Sequence, residues 1–261
     1  MSLDADINII LESWKVPRND LTGSRPVTAR ALMSHTSGAD DGFGFPGYHP
    51  SAPRPTVVQI LEGQEPSNVG PARFRRPPFA AYKYSGGGFT IIQLALSEVL
   101  DMPFAELMRE QVLAPLGMDQ STYEQPLPTE RDAQAARAHS SDGESMDAKW
   151  HVYPEKAAAG LWTTPTDLAR FAIEVQQGAR GSSSRVLSQA MAKEMMTPVG
   201  VGPFAVGLRV GKIGEGWYFS HGGGNWGFRC DLLAHSVKGY GVVVMTNSDS
   251  GGQLTQEIIL G

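Results

Sequence analysis

The sequence predicts an α+β fold, a mainly helical region followed by an antiparallel sheet flanked by helices. Three observations carry this. Between about residues 27 and 200, apolar residues recur at helical spacing behind recognisable N-caps. From Phe204 the period shortens, and four extended segments follow with turns between them. The last of these holds the continuous apolar run Gly241-Val242-Val243-Val244-Met245, the pattern of a central strand buried on both faces.

The elements follow in order. Residues 4–16 carry mixed helical and extended signals, and Asn19-Asp20 and Gly23-Ser24 with Pro26 form a turn-rich connector. Thr28 reads as the N-cap of a short helix, Ala29 to Met33, which ends in the turn Ser34 to Gly38. Gly42 to Pro55 is rich in Gly, Pro and aromatics and reads as a long loop. Thr56 caps Val57 to Glu62, and Gly63 stops that helix. After Tyr82-Lys83-Tyr84-Ser85-Gly86-Gly87-Gly88 comes a strong helix with Ile92, Ala95, Leu96 and Val99 on one face. Pro103 opens the next helix, which runs through Leu107 and Val112 to Leu116-Gly117.

Residues 119–153 are polar and irregular. Thr164 as N-cap, Pro165 in the first turn and Asp167 three after the cap mark another helix start, and a short helix spans roughly Ser188 to Met196. The four strands read as Phe204 to Val210, Gly216 to His221, Gly227 to Ala234 and Tyr240 to Thr246. A final helix follows Asn247 to Gly252.

Composition excludes several classes of function. Apolar residues make up 41% and charged residues 19%, which is ordinary globular composition. The net charge is -5 and the longest basic run is Arg75-Arg76, so nucleic acid has no electrostatic footprint. No apolar stretch is long enough to span a membrane. The first residues, MSLDADINII, lack the basic head and apolar run of a signal peptide, and the compartment stays open. The single cysteine, Cys230, excludes an intrachain disulfide and reads as a small buried strand residue. With no His-x-x-x-His or Cys-x-x-Cys pair, neither a metal nor a cofactor is expected.

Two short motifs concentrate the chemistry: Tyr84-Ser85-Gly86 and His221-Gly222-Gly223. A free phenol has a pKa near ~10, so Tyr84 becomes a base at neutral pH only beside a positive charge. Lys83 is a poor source of one, because neighbouring side chains in extended chain point apart. The three glycines after Ser85 read as a turn before a helix, where positive φ is needed. His35 reads as structural, bonding the backbone of its turn. Trp226 and Phe228 suit either a pocket wall or the core. Asp40-Asp41 and Glu106/Glu110 read as solvated charge, and Arg229 is a candidate carboxylate binder on a strand beside the site.

Leu32-Met33-Ser34-His35-Thr36-Ser37-Gly38 resembles the L-L-x-H-T-S-G segment of class C β-lactamases and their penicillin-binding-protein-like esterase and peptidase relatives. The block Ala159 to Phe171, and Ser220 to Arg229 with Gly241 to Asn247, resemble two more family segments. The two short motifs resemble the family's second and third catalytic elements, and order and spacing match from about residue 20 onward. The resemblance implies a helical lobe and an α/β lobe with the active site between them. Residues 1–26 would then be a remnant of the α/β lobe with its connector, 27–200 the mainly helical lobe, and 201–261 the closing sheet and helix of the α/β lobe. It implies a serine that attacks a carbonyl and forms an acyl-enzyme, which water then hydrolyses. It assigns Tyr84 as general base or proton relay, and His221 as a donor to the substrate that supports the tyrosine. Gly222 and Gly223 would let substrate lie along the strand edge, and the Gly224 N–H would supply half of an oxyanion hole.

The sequence departs from the family at two places. Gly86 stands where the family often has an asparagine that binds the acyl-amide carbonyl, which favours small esters over β-lactams. The family's first element, Ser-x-x-Lys, is absent: no serine has a lysine three residues on, and Ser13 and Ser236 precede Lys15 and Lys238 by only two. The leading expectation is a serine hydrolase acting on an ester, β-lactam or D-amino-acid peptide, truncated before its nucleophile and inactive in this form. The alternative is a non-catalytic ligand-binding protein on the same fold. Catalysis by Ser85 or Ser220 ranks third, since Ser220 and His221 point to opposite faces of a strand. Lost strands would leave a sheet edge open, so a homodimer through that edge is expected.

Overall fold

A computed structural model describes residues 2–23, 25–41 and 44–260; Ser24 in the connector, Gly42-Phe43 in the long loop, and the two chain ends lie outside the described residues. The helices begin where the sequence caps them. Thr28 accepts from the Ala31 N–H and starts α1 (Ala29–Met33). Thr56 and Gln59 form a reciprocal capping box on α2 (Val57–Glu62), which Gly63 ends in the left-handed region. Ser85 starts α3 (Gly86–Val99) by accepting from the Gly88 N–H. The next helix, α4 (Phe104–Met108), continues as a π-type turn over Arg109–Leu113. A 3-10 turn lies at Thr129–Gln134, and the single-turn α5 spans Lys156–Ala159. Thr164 caps α6 (Pro165–Arg180), followed by α7 (Gln189–Glu194). A closing helix, α8, covers Gly251–Leu260.

The sheet is antiparallel, in the order β1 (Arg209–Ile213), β2 (Gly216–Asn225), β3 (Phe228–His235), β4 (Gly241–Thr246). Three expectations need correction. The first strand begins five residues later than predicted. Gly207, at φ 85°, reverses the chain, and Ala205 N–H to Leu208 O at 2.8 Å closes a tight loop. The second strand runs on to Asn225, so the glycines after His221 are extended strand. Among the described residues, the apolar run Val242–Met245 forms an edge strand with only β3 beside it, and its residues are half-buried. An uninterrupted apolar run reports that both faces are covered, here by α6 and α8, and carries no information about neighbours within the sheet.

Two cores position the elements that carry Tyr84 and His221. Ile7, Leu11, Trp14 and Val16 pack with Leu32 of α1 and Ile91, Leu94 and Ala95 of α3. Glu98 on α3 fixes the same segment by accepting from the N–H groups of Glu12 at 2.6 Å and Ser13 at 2.9 Å. The second core lies between α6 and the sheet, with Ala172 and Val175 against Phe219, Leu232 and Ala234. The other face of the sheet receives α8, where the Thr255 hydroxyl donates to Asp231 Oδ2 at 2.6 Å. No helix among the described residues is long and apolar enough to cross a membrane.

Candidate active site

Tyr84 is placed by the turn that follows α1. His35 adopts φ 57°, uncommon for a residue with a side chain, and is 1% exposed. Its carbonyl accepts from the Lys83 N–H at 2.9 Å and its Nδ1 accepts from the Ser85 N–H at 3.1 Å. Between those two bonds the imidazole stacks on the Tyr84 ring at 4.1 Å, with 26° between planes. Phe204, carried in by the loop before β1, meets His35 edge-on at 4.6 Å and His221 at 5.9 Å.

The glycines after Ser85 form the first turn of α3, correcting the expectation of a left-handed turn, and close approach accounts for them. A Cβ at Gly86 would stand 2.8 Å from Phe45 Cε2, and one at Gly87 would stand 2.8 Å from Asp41 Oδ2. The space a side chain at position 86 would need is therefore filled by Phe45. Asp41, expected to be solvated, accepts from the Ser85 hydroxyl and from the Gly87 N–H at 2.6 Å. It thus neutralises orphan donors and the positive end of the α3 dipole. Asp40 faces Arg75 at 3.3 Å and Lys83 at 3.6 Å, which draws the Lys83 ammonium into an ion pair.

His221 lies on β2 immediately past Ser220, the last residue paired with β1, so among the described residues only β3 flanks the strand from His221 to Asn225. Gly222, Gly223 and Gly224 are exposed along that edge. Two of them also lie close against cross-strand side chains. A Cβ would lie 2.7 Å from Asp231 Oδ1 at Gly222 and 2.6 Å from Cys230 Sγ at Gly223, whereas at Gly224 the nearest atom is at an ordinary 3.5 Å. Tyr84 and His221 face each other at 6.5 Å between ring centroids. Arg229 stands opposite Gly224, ion-paired with Asp249 at 2.7 Å and donating to the carbonyls of Asn225 and Phe228. Its guanidinium already holds a carboxylate. The β2–β3 turn is tied to the helices by Asn225 Nδ2 to Ala159 O and by the Trp226 N–H to the Tyr153 hydroxyl, both at 2.8 Å. Trp226 stacks on His151 at 3.9 Å.

The ring cluster of Tyr84, His35 and His221 carries no charge at neutral pH. Burial, then Tyr82, then Asp41 raise the Tyr84 phenol above its ordinary value. Burial and the nearby His221 push His35 down to about 4, and burial lowers His221. At neutral pH the three present a phenol O–H and two uncharged imidazoles. Half-buried Cys230 has its thiol pushed up to about 11, chiefly by burial, and is unreactive as a thiolate. Ser85 is buried with its hydroxyl engaged by Asp41 and the Gly88 N–H, so it offers no nucleophile.

The motifs drew attention to Tyr84 and His221, which the structure brings near each other, but sequence reasoning missed the packing of His35, Asp41, Phe45 and Phe204 around them. A glycine-rich helix start that lacks an acid of its own signals an external anion, and this could have pointed towards Asp41. Nothing local marks Phe45 or Phe204.

Comparison with known proteins places the chain in a family and a fold. The family model described as Beta-lactamase matches residues 1–258. Over 150 residues, 56% of this chain, the sequence is 28% identical to the D-alanyl-D-alanine-carboxypeptidase/endopeptidase AmpH of Escherichia coli (strain K12), and the match spans 35% of that protein. It is 21% identical over 154 residues to the teichoic acid D-alanine hydrolase of Staphylococcus aureus, covering 59% of this chain and 36% of the relative. The chain therefore spans about a third of the length of these curated relatives. A penicillin binding protein from Bacillus halodurans shares the fold with a TM-score of 0.75 at 19% identity, covering 99% of this chain and 77% of that one. A D-amino acid amidase from Ochrobactrum anthropi SV3 does so with a TM-score of 0.71 at 22% identity, covering 96% and 72%.

Proposed function

The chain belongs to the β-lactamase family, and from that membership we propose that the cleft between Tyr84 and His221 binds an acyl group of the kind serine hydrolases process, without supplying the acylating serine. The observation that carries this reading is the approach of the two rings, 6.5 Å apart, where β2 loses β1 as its neighbour. There a ligand carbonyl can meet a phenol O–H, an imidazole and unpaired strand N–H groups together. The absence of Ser-x-x-Lys from the sequence supports the missing nucleophile. The raised phenol supports Tyr84 as a hydrogen-bond donor and not as a base.

The ligand class is an ester, a β-lactam or a D-amino-acid peptide. D-alanyl compounds come first, because the curated relatives are named for D-alanine chemistry. A hydrolase completed by a Ser-x-x-Lys outside these residues needs its lysine beside Tyr84, whereas a ligand-binding protein needs none. The sequence of the native gene separates the two. The open edge of β4 supports self-association of the chain.

The test is calorimetric binding of D-alanyl-D-alanine and benzylpenicillin, with intact-mass measurement after incubation with benzylpenicillin and p-nitrophenyl acetate. The expected result is reversible binding that weakens about tenfold in Tyr84→Phe and in His221→Ala, the worth of one hydrogen bond, with no added mass. A covalent adduct on any serine overturns the missing nucleophile, and absence of binding overturns the cleft.

A further inference from the structure

We propose that His35 is the positioning residue for Tyr84, clamping the phenol from both sides of the backbone and across its face so that it points over the cleft toward His221. The inference builds on Tyr84 as the polar group of the cleft, but its test reads the phenol directly and needs no ligand.

Three separate contacts converge. The His35 carbonyl takes the N–H of residue 83, and its Nδ1 takes the N–H of residue 85. The imidazole stacks on the ring of residue 84 between them, with centroids 4.1 Å apart and 26° between planes. One residue therefore fixes the backbone on either side of Tyr84 and the plane of its side chain. Phe204 closes the far side of the cluster, edge-on to His35 at 4.6 Å and T-shaped to Tyr84 at 6.0 Å. A bond accepted at Nδ1 sets the ring as the Nε2–H tautomer.

Two costs are tolerated for this arrangement. His35 holds φ 57°, a left-handed conformation that asparagine or glycine would adopt more easily. Its Nε2 is buried with no hydrogen-bond partner among the described residues. A turn that needed only its own backbone bonds would be served by asparagine, whose amide oxygen can accept from the Ser85 N–H. What asparagine cannot supply is the aromatic face, so the ring itself is the part tied to Tyr84. The depressed basicity of His35 agrees, because a stacked, neutral imidazole keeps water and charge away from the phenol.

The experiment uses the full chain labelled with 13Cζ- and 13Cδ-tyrosine, with the Tyr84 signals assigned through Tyr84→Phe. In the unaltered protein the Tyr84 ring should flip slowly, with distinct signals for its two edges, and should show contacts to the His35 ring. A freely flipping ring overturns the proposal without any His35 variant. In His35→Asn, circular dichroism and melting should stay close to native while the Tyr84 titration midpoint falls toward the free-phenol value of ~10 and ring flipping becomes fast. A His35→Asn protein with native Tyr84 titration and flipping shows a role confined to the turn and overturns the proposal. If His35→Asn does not fold, His35→Phe restores a stacking face without Nδ1, and Tyr84 should then flip slowly; fast flipping there also overturns it.

Discussion

The Asp41 carboxylate and the Gly87 N–H, 46 residues apart in sequence, meet at 2.6 Å. The same carboxylate receives the Ser85 hydroxyl, so one acid on a loop closes the N-terminus of the helix that follows Tyr84. Because α3 supplies Ile91, Leu94 and Ala95 to the first core, loosening its start reaches beyond the cleft. Asp41→Ala should lower stability by about 1–2 kcal/mol, the usual worth of a helix cap. Asp41→Asn keeps an acceptor and loses mainly the charge–dipole interaction, about 0.3–1 kcal/mol. Urea midpoints with unchanged slopes would register this order. A native midpoint for Asp41→Ala would show that the bond is incidental.

Gly223 and Gly224 stand side by side on β2, yet their surroundings differ. A Cβ at Gly223 meets Cys230 Sγ at 2.6 Å, while at Gly224 it meets Arg229 Cδ at 3.5 Å. Gly223→Ala should therefore cost about 1–3 kcal/mol, the range for overpacking, and Gly224→Ala should be close to neutral in stability. Removing the sulfur in Gly223→Ala/Cys230→Ala should recover part of the loss, and a double-mutant cycle measures how much. Equal costs at the two glycines would refute cross-strand crowding as the reason for Gly223.

What was legible in the sequence was what is local. Thr28, Thr56 and Thr164 each bind an N–H three residues on, so their motif and their partner lie in one reading window. The Tyr84 and His221 motifs were legible as candidates because glycines flank both. Asp41 was read as solvated because its partners lie 44 and 46 residues away, a separation no periodicity reports. His35 was given to its turn, and it does serve the turn. Its stacking on Tyr84 depends on how the chain returns after a long loop. The edge position of Val242–Met245 was illegible for a related reason. Apolar side chains record the helices above and below a strand, and hydrogen bonding to a neighbouring strand leaves no mark on side-chain type.

Glu155 is fully buried, with no hydrogen-bond partner for either carboxylate oxygen among the described residues. Burial raises its pKa to about 7 from the ordinary 4.5. Between these values the folded state holds a proton that the unfolded state releases, so its contribution to stability falls as pH rises through that window. The loss amounts to at most ~3 kcal/mol and levels off above about pH 7. His35, depressed to about 4 from 6.5, slopes the opposite way below pH 6.5, because there the unfolded chain binds the extra proton. The informative quantity is therefore the stability of Glu155→Gln minus that of the native protein, measured in urea at pH 5 and pH 8. The variant should gain on the native protein as pH rises. A difference independent of pH would mean that Glu155 is ionised throughout.

The outer edge of β4 should bind a second copy of the chain. His235 donates its N–H to Tyr240 O at 2.9 Å, and the alternation of an antiparallel ladder then turns the amides of Gly241, Val243 and Met245 away from β3. An edge of this kind lacks two of the usual guards: residues 241–246 include no charge and no proline. Nearby α8 adds exposed Leu254 and Ile258, 51% and 50% accessible. Sedimentation velocity across the micromolar range should show a monomer–dimer equilibrium. In hydrogen exchange, the amides of Val243 and Met245 should slow as protein concentration rises, while the outward-pointing strand N–H groups of Gly222 and Gly224 should not. A monomer at every concentration would rule out pairing through this edge. A dimer that leaves Val243 and Met245 unprotected would place the contact elsewhere.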